Sequence, residues 1–585
     1  MENWVLKNKK ADFEQIVHTC GVSEVIARCL VNKGLEDPEQ IKAFLRPDIL
    51  KLHNPLLMKD MKKTCEILKV KIKTGRKIRI IGDYDVDGVV ATYILYRTLS
   101  LLGANVDYEI PDRIKDGYGM NVNMVEAAYH EDIDTILTCD NGIAALEQTA
   151  LAKDYHMTVL ITDHHSLVQR EDGSFEIPAA DAVVNPKQPD CSYPFKGLCG
   201  AAIAYKLSKA LIGTGSIAEY DDFLEELLSY TAIATVCDVM ELIDENRIIV
   251  KYGLELLQKT KNVGLLSLMD TTAIKKDELN VFHLGFVIGP CLNASGRLDT
   301  ARRGLELLMA HTKEEAVLLA EEVRNLNEVR KSMTAEYVQK AISLVEGSDR
   351  KEDKVLILYL EGCHESIAGI IAGRIREKYN KPTLILTDAE NCIKGSGRSI
   401  ELYNMFEELS KCRELFLKMG GHPMAAGFSL LRENIETLRT RLNKNTSLTD
   451  EMLIPKVTID IHLPLGYVTE PLIKELSQLE PFGKGNEKPL FAEKNLKIKS
   501  ALIIGKNANG IRFRLINQYA REMDAIYFGD VVQFFQYIGN TFGKEEAEKL
   551  KTGRGVDFTI SVTYYPRVNE YNGFKTIQLM IQNYR

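Results

Sequence analysis

The chain has 585 residues, of which 45% are hydrophobic and 27% are charged, a balance that excludes a fibrous or wholly disordered protein. At roughly 150 residues per domain, this length corresponds to about three to five domains. The 74 Lys and Arg residues against 82 Asp and Glu residues give a net charge of −8, which excludes a uniformly basic protein that coats nucleic acid. A nucleic-acid ligand is still compatible with this charge, because binding depends on a local basic groove.

The cysteines and the N-terminal residues indicate a protein of the reducing cytoplasm. The 11 cysteines include no C-x-x-C pair, which disfavours a disulfide framework and a cysteine-based zinc site. The first residues, MENWVLKNKKADFEQ, lack the apolar segment of a signal peptide. No apolar run approaches the length of about 18 residues that spans a bilayer. We therefore expect a soluble cytoplasmic protein without a membrane partner.

Apolar runs that alternate with amphipathic stretches begin near residue 76. The runs typical of buried parallel strands are Ile78–Gly82, Thr135–Cys139, Thr158–Asp163 and Asp181–Asn185. Amphipathic segments such as Val89–Leu102 lie between them. This order is typical of βαβ units, and it predicts an α/β fold with a mostly parallel sheet and helices on both faces.

A long helix is predicted over residues 312–347. Thr312 and Glu315 match the spacing of a capping box, and neither Gly nor Pro interrupts the chain before Gly347. Apolar residues in between recur close to helical spacing, whereas the rest of the surface is charged. The helix either connects two domains or packs along a single core.

Two further regions are predicted after this helix. Lys354–Glu361 and Thr383–Asp388 are the predicted strands of a second α/β region. Past Pro455, short alternating runs separated by turns replace the helical pattern. Their even spacing without long helices predicts a small β-barrel or sandwich.

The densest chemical signal is the sequence D-Y-D-V-D-G at residues 83–88, directly after the first predicted strand. Three carboxylates at i, i+2 and i+4 can converge on a hard cation, since Mg²⁺ and Mn²⁺ prefer carboxylate oxygens. An EF-hand loop shares this spacing, but it requires a glutamate at position 12, where this chain has Ile94. Open α/β sheets bind their ligands at the carboxyl ends of the strands, where these residues are predicted to lie.

Further residues of the types that bind metal ions follow three later apolar runs. Asp140 and the triplet Asp163-His164-His165 each follow a predicted strand, and Asp238 ends the run AIATVCD. Carboxylates together with imidazoles suit Mn²⁺ or another transition metal. Like charges in one cleft raise one another's pKa, and two divalent cations relieve the repulsion. Because two such ions are the usual device for phosphoester hydrolysis, we predict that chemistry here.

The motifs at residues 83–88, 138–142 and 163–165 resemble the DHH phosphoesterase superfamily, which is named after the last of them. Over roughly residues 50 to 585 the chain is further similar to the RecJ family of single-stranded-DNA-specific 5′→3′ exonucleases. The motifs that carry this similarity are P-D-R at 111–113, G-Y-G at 117–119, C-L-N-A-S-G-R at 291–297, G-S-G-R-S at 395–399, G-G-H at 420–422, A-A-G-F at 425–428 and P-F-G-K-G-N at 481–486. Their order is specific, although each glycine-rich piece alone is weak evidence.

The resemblance implies a catalytic set that holds two Mn²⁺ or Mg²⁺ ions. The residues at the positions of the family's metal ligands are Asp85, Asp87, Asp140, His164 and Asp238. Asp83 and His165 lie beside them, either as shared ligands or as residues that support the ligands, and His422 in the Gly-Gly-His segment is expected to donate to the scissile phosphate. Water activated by the ions is expected to attack the phosphorus, so no protein nucleophile is required.

The resemblance also implies the substrate and the partners. Arg113, Arg297, Ser396 and Arg398 lie in motifs that resemble contacts to the 5′-phosphate and the DNA backbone, where a guanidinium matches phosphate oxygens. The implied substrate is single-stranded DNA with a free 5′ end, degraded in DNA repair and recombination. Single-stranded-DNA-binding protein and a helicase are the implied protein partners, and a monomer is expected.

The same resemblance gives names to the predicted domains. We expect an N-terminal segment at 1–50, a DHH catalytic domain at 51–311, a connecting helix at 312–347, a DHHA1 domain at 348–450 and an OB-fold nucleic-acid-binding domain at 451–585. Phe513 is expected in the core of the last domain, because it alternates with Arg512 and Arg514. The basic residues expected to supply charge to its DNA groove are Lys494, Lys497, Lys499, Lys506, Arg512 and Arg514.

Two other functions are open alternatives at this stage. One is a small-phosphoester hydrolase of the nanoRNase or cyclic-dinucleotide phosphodiesterase type, and the other is a catalytically silent DNA-binding scaffold similar to Cdc45. The length of the chain and the OB-like region disfavour the small-substrate hydrolase. The intact set of acidic and histidine residues disfavours the scaffold, because a binding module has no use for a costly cluster of buried charges.

Overall fold

The computed structural model describes residues 2–170, 173–213, 218–571 and 573–585. The chain divides into two compact units. Residues 49–455 form what we call the central unit, and residues 2–48 together with 456–585 form the terminal unit. Among the described residues, no helix has the length and apolar character needed to cross a membrane.

The chain begins with one strand and three helices of the terminal unit. They are β1 (Asn3–Leu6), α1 (Phe13–Cys20), α2 (Glu24–Asn32) and α3 (Pro38–Leu45). Each helix follows a polar residue whose side chain accepts a backbone N–H of the first turn, namely Asp12, Ser23 and Asp37. Ile26 and Leu30 of α2 are fully buried in a core that they share with the C-terminal strands.

The central unit opens with alternating strands and helices. In chain order they are α4 (Met61–Lys73), β2 (Lys77–Ile81), α5 (Val86–Leu101), β3 (Asn105–Glu109), α6 (Val122–His130), β4 (Thr135–Cys139), α7 (Leu146–Asp154), β5 (Thr158–Thr162), β6 (Val168–Gln169), β7 (Phe175–Glu176), β8 (Ala182–Val184) and α8 (Gly200–Ile212). A five-stranded sheet has the order β3-β2-β4-β5-β8, and every pair in it is parallel.

This sheet confirms the predicted parallel α/β fold. The neighbouring residues Ile80 and Ile81 belong to separate apolar cores, because successive side chains of β2 point to opposite faces. The edge strand β3 was not predicted. Its residues are partly exposed, so the run lacks the continuous apolar character of the other four strands.

A helical region follows the sheet. It contains α9 (Ala218–Cys237), α10 (Asp244–Leu257), α11 (Val263–Thr271), α12 (Val281–His283), a π-helical turn (Leu284–Ile288), α13 (Gly289–Leu298), α14 (Arg302–Met309) and α15 (Lys313–Glu346). Helix α15 confirms the predicted long helix. Its first half packs in the core below the parallel sheet and its second half packs in another core, so it connects two parts of the central unit. Only half of the capping box forms, since the Glu315 side chain accepts from His311 N and not from Thr312 N.

A second α/β region completes the central unit. Its elements are β9 (Leu356–Tyr359), α16 (Glu365–Tyr379), β10 (Thr383–Asp388), β11 (Ile393–Arg398), α17 (Met405–Ser410), β12 (Phe416–His422), β13 (Ala425–Leu430) and α18 (Ile435–Asn445). The strand order is β12-β13-β11-β10-β9, and only β9 and β10 pair in parallel. The predicted second α/β domain is therefore confirmed.

The remaining elements belong to the terminal unit. They are β14 (Lys456–Ile459), β15 (Ile461–His462), α19 (Glu470–Leu476), β16 (Phe491–Ile504), β17 (Gly510–Ile516), β18 (Glu522–Phe528), α20 (Val531–Phe542), α21 (Lys544–Lys551), β19 (Thr559–Tyr571) and β20 (Phe574–Tyr584). Strands β16-β17-β18-β20-β19 form a barrel that closes through the pairing of β19 with β16. The predicted barrel is confirmed, but the expectation of no long helix is wrong, because α20 and α21 lie between β18 and β19.

Candidate active site

Three carboxylates lie where the chain leaves β2 and enters α5. Asp85 is the N-cap of α5, and its Oδ1 accepts the N–H groups of Asp87 at 2.9 Å and Gly88 at 3.1 Å. Asp83 and Asp87 are each 1% exposed. Glycine is required at position 88 because a Cβ there would lie 2.5 Å from Asp83 O. At the carboxyl end of the sheet, this loop therefore buries Asp83 and Asp87 and leaves Asp85 half-buried.

The N-terminus of α8 positions the third of these carboxylates. The two Asp87 oxygens accept the N–H groups of Gly200 at 2.6 Å and Ala201 at 2.8 Å. Free N–H groups at a helix N-terminus favour an anion, so α8 stabilises the Asp87 carboxylate. A Cβ on Gly200 would lie 2.5 Å from the Asp140 Cβ, so glycine there also leaves room for Asp140.

Asp140 directly follows β4 and has a left-handed backbone with φ of 62°. The neighbouring Asn141 side chain donates to Ile81 O and Cys139 O, which joins the ends of β2 and β4. Asp140 is 2% exposed, and its Oδ1 accepts no hydrogen bond although it lies 3.1 Å from His164 Nε2. A buried carboxylate oxygen without a donor is costly unless it binds a cation.

Asp163 orients the loop that follows β5. Its carboxylate accepts backbone N–H groups from Ile143, His164 and His165, and it lies 2.8 Å from His165 Nδ1. Burial alone would raise the pKa of Asp163, but the hydrogen bond and charge of His165 lower it below its usual range. Burial by itself would lower the pKa of His165, but the hydrogen bond to Asp163 and the charges of the surrounding aspartates together raise it to about 9.

His164 has the opposite character to its neighbour. Burial lowers the pKa of His164 to about 4, so its ring is neutral at pH 7. Its Nε2 lies 3.1 Å from Asp140 Oδ1 and 3.7 Å from both Asp87 Oδ2 and Asp238 Oδ2. Asp238 follows the C-terminal end of α9 and not a strand. A neutral imidazole nitrogen that faces three carboxylates has the arrangement of a metal ligand.

The carboxyl groups of this cluster have raised pKa values. Burial raises the pKa of Asp83 and Asp140 well above the usual carboxyl value, and neighbouring aspartates raise it further. The pKa of Asp238 rises to about 8 for the same two reasons. These groups cannot all carry charge at pH 7 without a compensating cation.

Three overlapping sets of side chains could each hold a metal ion, with ligand atoms within 4.8 Å of one another. They are Asp83–Asp85–Asp140, Asp87–His164–Asp238 and Asp140–His164–His165. Buried atoms without a hydrogen-bond partner include Asp83 Oδ1, Asp140 Oδ1 and His164 Nδ1. The unpaired oxygens, the shared residues and the mixed oxygen and nitrogen donors fit two neighbouring Mn²⁺ or Mg²⁺ ions. Asp83 and His165 are members of these sets, an arrangement compatible with the shared ligands considered above.

Two of the four predicted substrate residues, Arg113 and Ser396, line a cleft of about 540 Å³ in the central unit together with Tyr84. The Arg113 guanidinium lies 4.6 Å from the centre of the Tyr84 ring. Arg398 donates to Ser396 Oγ at 3.2 Å, and Arg297 donates to Ser366 O at 2.5 Å. Burial, together with the nearby charge of Arg113, lowers the pKa of Arg297 to about 9 and also lowers that of Arg398. Guanidiniums that repel one another favour a bound anion.

His422 lies outside the buried metal-ligand cluster. It is exposed at the end of β12, and it belongs to none of the three ligand sets among the described residues. Gly420 of the same strand lines the cleft. The contact of His422 with the scissile phosphate therefore remains a prediction.

Tyr118 is a site residue to which the sequence analysis assigned no role. Its hydroxyl donates to Asp140 O at 2.8 Å and lies 3.0 Å from His165 Nδ1. The G-Y-G motif at 117–119 could have pointed to it. The amides of Gly200 and Ala201 carry no such signal, because any residue can supply a backbone N–H.

Three family models match this chain in order. The N-terminal domain of the DHH family matches residues 77–235, the DHHA1 domain matches 352–447 and the RecJ OB domain matches 459–583. The parallel sheet with its acidic cluster, the second α/β domain and the closed barrel thus correspond to a multidomain protein of the DHH class.

Individual relatives narrow this class. The single-stranded-DNA-specific exonuclease RecJ of Bacillus subtilis is 34% identical over 585 residues, which cover 99% of this chain and 70% of that protein. The protein of that name from Escherichia coli is 30% identical over 544 residues, which cover 89% of this chain and 90% of that protein. The crystal structure of RecJ in complex with Mn²⁺ from Thermus thermophilus matches with a TM-score of 0.81 at 25% identity, covering 100% of this chain and 79% of the other. The chain belongs to the RecJ family.

Proposed function

We propose that this protein is a metal-dependent, single-stranded-DNA-specific 5′→3′ exonuclease that acts in DNA repair and recombination. The observation that carries the proposal is the overlapping sets of aspartate and histidine ligands next to an arginine-containing cleft. Both relatives compared above are named single-stranded-DNA-specific exonucleases, which supports the same activity for this family member.

Two Mn²⁺ or Mg²⁺ ions are the proposed cofactors, with Asp85, Asp87, Asp140, His164 and Asp238 as ligands. Ions bound there would activate water and stabilise the charge on the leaving oxygen. The α8 amides hold Asp87, and the cap interaction holds Asp85, so both carboxylates are oriented before metal binds. Asp83 and His165 contribute to the same ligand sets. The T. thermophilus structure contains Mn²⁺, which supports this choice of ion.

The arginine-containing cleft is proposed to bind the 5′ end of the strand. Arg113, Arg297, Ser396 and Arg398 would hold the 5′-phosphate, and His422 would donate to the phosphate that is cleaved. A guanidinium whose neighbours are also cationic gains most from a bound phosphate, which neutralises their mutual repulsion. Anchoring the terminal phosphate would present the first linkage to the acidic cluster.

We propose a monomer in the cytoplasm that works with single-stranded-DNA-binding protein and a helicase. All 11 cysteines lie among the described residues and are free thiols, which supports a reducing compartment. An enzyme restricted to single strands needs the duplex to be opened, and this requirement supports a helicase partner. Affinity capture from a cell lysate before and after nuclease treatment would separate direct partners from proteins that share the DNA.

The test of the main proposal is a time course on a single-stranded oligonucleotide labelled at its 3′ end, in Mn²⁺. We expect a ladder of products that shortens from the 5′ end and that is absent on a blunt duplex. Binding without cleavage would favour a DNA-binding scaffold instead. Cleavage confined to very short oligonucleotides would favour a small-phosphoester hydrolase.

A further inference from the structure

The segment from α12 to α13 exposes two aromatic rings that the site described above does not use. Phe282 and Phe286 are 60% and 65% exposed. Their ring centres lie 5.1 Å apart with planes at 22°, so the rings are stacked on each other. Large apolar side chains grouped at a surface often mark a binding site, because their exposure to water is unfavourable and a ligand that buries them gains free energy.

These rings belong to one face of the helical segment. The residues that are exposed or half-buried along it include Phe282, Phe286, Pro290, Asn293 and Arg297, whereas most residues between them are buried. Eleven helical residues make about three turns and rise about 16 Å, so Phe286 and Arg297 lie on the same side at that separation. Arg297 donates to the backbone carbonyl of Ser366, which lines the arginine-containing cleft, so the row of side chains leads from the edge of that cleft to the two rings.

The buried side of the same helical segment packs next to one of the metal-ligand residues. Cys237, which directly precedes Asp238, donates through its Sγ to Leu284 O at 3.5 Å. A Cβ on Gly289 would lie 2.2 Å from Cys237 Sγ, so the helical segment is in tight contact with α9 at this point. The π-helical turn at Leu284–Ile288 thus lies against the chain that enters Asp238, and π-helical turns are frequent at functional sites.

We propose that Phe282 and Phe286 form a stacking platform for a base near the 5′ end of the DNA strand. This inference rests on the proposed function and adds a substrate contact to it. A base extends the existing stack of two rings, and stacking tolerates any base, as an exonuclease without sequence preference requires. At the 3.4 Å spacing of a stacked strand, about 16 Å covers roughly five nucleotides, and an extended strand covers fewer. The base is therefore one of the first five.

The test is photo-crosslinking of the full-length protein in EDTA, where the strand is bound and not cleaved. 5-Iodouracil is placed in turn at each of the first eight positions of a 5′-phosphorylated oligonucleotide, and crosslinked peptides are identified by mass spectrometry. We expect a crosslink to Phe282 or Phe286 from a position among the first five. Phe286→Ala should abolish it and Phe286→Tyr should retain it. Phe175→Ala, at a 45% exposed phenylalanine of β7 that lies outside the cleft lining and the ligand sets, is the matched control.

A kinetic measurement in Mn²⁺ provides the second readout. Phe286→Ala should raise KM for the single strand roughly five- to 150-fold, the range expected for one lost stacking contact. An abasic site at the crosslinking position should cause a similar loss in the parent protein and little further loss in the variant. Unchanged KM with no crosslink to this segment, in a protein that degrades the strand, would overturn the platform alone. A parent protein that neither binds nor degrades the strand would overturn the proposed function, and the platform with it.

Discussion

Two adjacent histidines illustrate how burial and hydrogen bonding assign different tasks to the same side chain. His164 is neutral because burial lowers its pKa to about 4, and its nitrogen faces three carboxylates. His165 is held by Asp163, which raises the pKa of His165 to about 9, so its ring is cationic at pH 7. In the metal-free protein, the protonated His165 ring therefore partly balances the negative charge of the aspartates. The neutral His164 ring has a nitrogen lone pair that can bind a metal ion.

Asp140 is the carboxylate whose loss should matter most, because it is the one acidic residue that belongs to two of the three ligand sets found among the described residues. We expect Asp140→Ala to reduce cleavage by at least about 10³-fold, while the affinity for single-stranded DNA in EDTA changes little. The expectation follows from the loss of a shared metal ligand while the arginine-containing cleft is unchanged. Initial rates and fluorescence anisotropy measure the two quantities. Asp270→Ala, at an exposed position on α11, is the control, and full activity of Asp140→Ala would contradict the metal assignment.

The raised pKa values of the cluster predict a pH-dependent metal affinity. Asp83 and Asp140 have pKa values well above the usual range and that of Asp238 is about 8, so metal must displace protons near pH 7. We expect the apparent Kd for Mn²⁺ to fall as pH rises from 6 to 8.5, with proton release visible by calorimetry in buffers of different ionisation enthalpy. A carboxyl with a raised folded-state pKa stabilises the metal-free fold at low pH and loses that contribution as pH rises through the folded value. Stabilisation by Mn²⁺ should therefore grow over the same interval, and an affinity independent of pH would contradict this account.

At the scale of elements, the outer surface of β16, β17 and β18 differs from the basic groove that the sequence suggested. Lys499 pairs with Glu522 at 2.6 Å, Arg512 pairs with Asp524 at 3.0 Å, and Arg514 pairs with both acids. Three of the six predicted basic residues are thus compensated by acids of β18. Phe513 is 1% exposed, which confirms that it is a core residue.

This ion-pair network predicts that removing its acids strengthens DNA binding. Glu522→Gln combined with Asp524→Asn should free three cations to contact phosphates. The slope of log Kobs against log salt concentration for single-stranded DNA should then steepen by up to about 2.1, because each of the three added phosphate contacts contributes about 0.7. Glu545→Gln with Glu548→Gln on α21 changes the net charge equally at another surface and is the matched control. Identical slopes for the two double variants would show that the β16–β18 surface does not contact the strand.

At the scale of the whole molecule, the two ends of the chain form one folding unit. Strand β1 pairs in parallel with β14, and helices α1 to α3 share a core with the barrel. Most of the N-terminal segment named at 1–50 therefore folds with the C-terminal region, since residues 2–48 and 456–585 form the terminal unit together. The central unit with the candidate active site is the uninterrupted stretch between them.

The shared core predicts that a change near the N-terminus destabilises the barrel. Leu30 of α2 is fully buried, and Leu30→Ala should lower the free energy of unfolding of the terminal unit by about 2–5 kcal/mol. Trp4 is the single tryptophan of the chain and lies in β1, so its fluorescence during urea unfolding reports on this unit. Leu502→Ala, at a 62% exposed leucine of β16, should have little effect. Equal unfolding midpoints for the two variants would contradict the shared core.

The sequence alone determined the parallel α/β class, the long helix, a terminal barrel or sandwich and the residue types at the metal cluster. These features have local signals, namely apolar periodicity, helix caps, and acidic residues directly after strands whose carboxyl ends meet at one edge. The resemblance then supplied the ordered motifs. Strand β3 and helices α20 and α21 were missed, because partly exposed edge strands and helices within a β-rich region lack a distinctive pattern.

Only the tertiary structure decided which groups support the cluster and which charges remain available. Three examples are contacts between distant segments of the chain. The α8 amides hold Asp87, the Tyr118 hydroxyl lies beside His165, and acids of β18 pair with Arg512 and Arg514. The assignment of the N-terminal helices to the barrel core has the same origin. Such contacts depend on which distant segments lie next to each other in the folded chain. The spacing of residues within one segment does not predict which other segment it will contact.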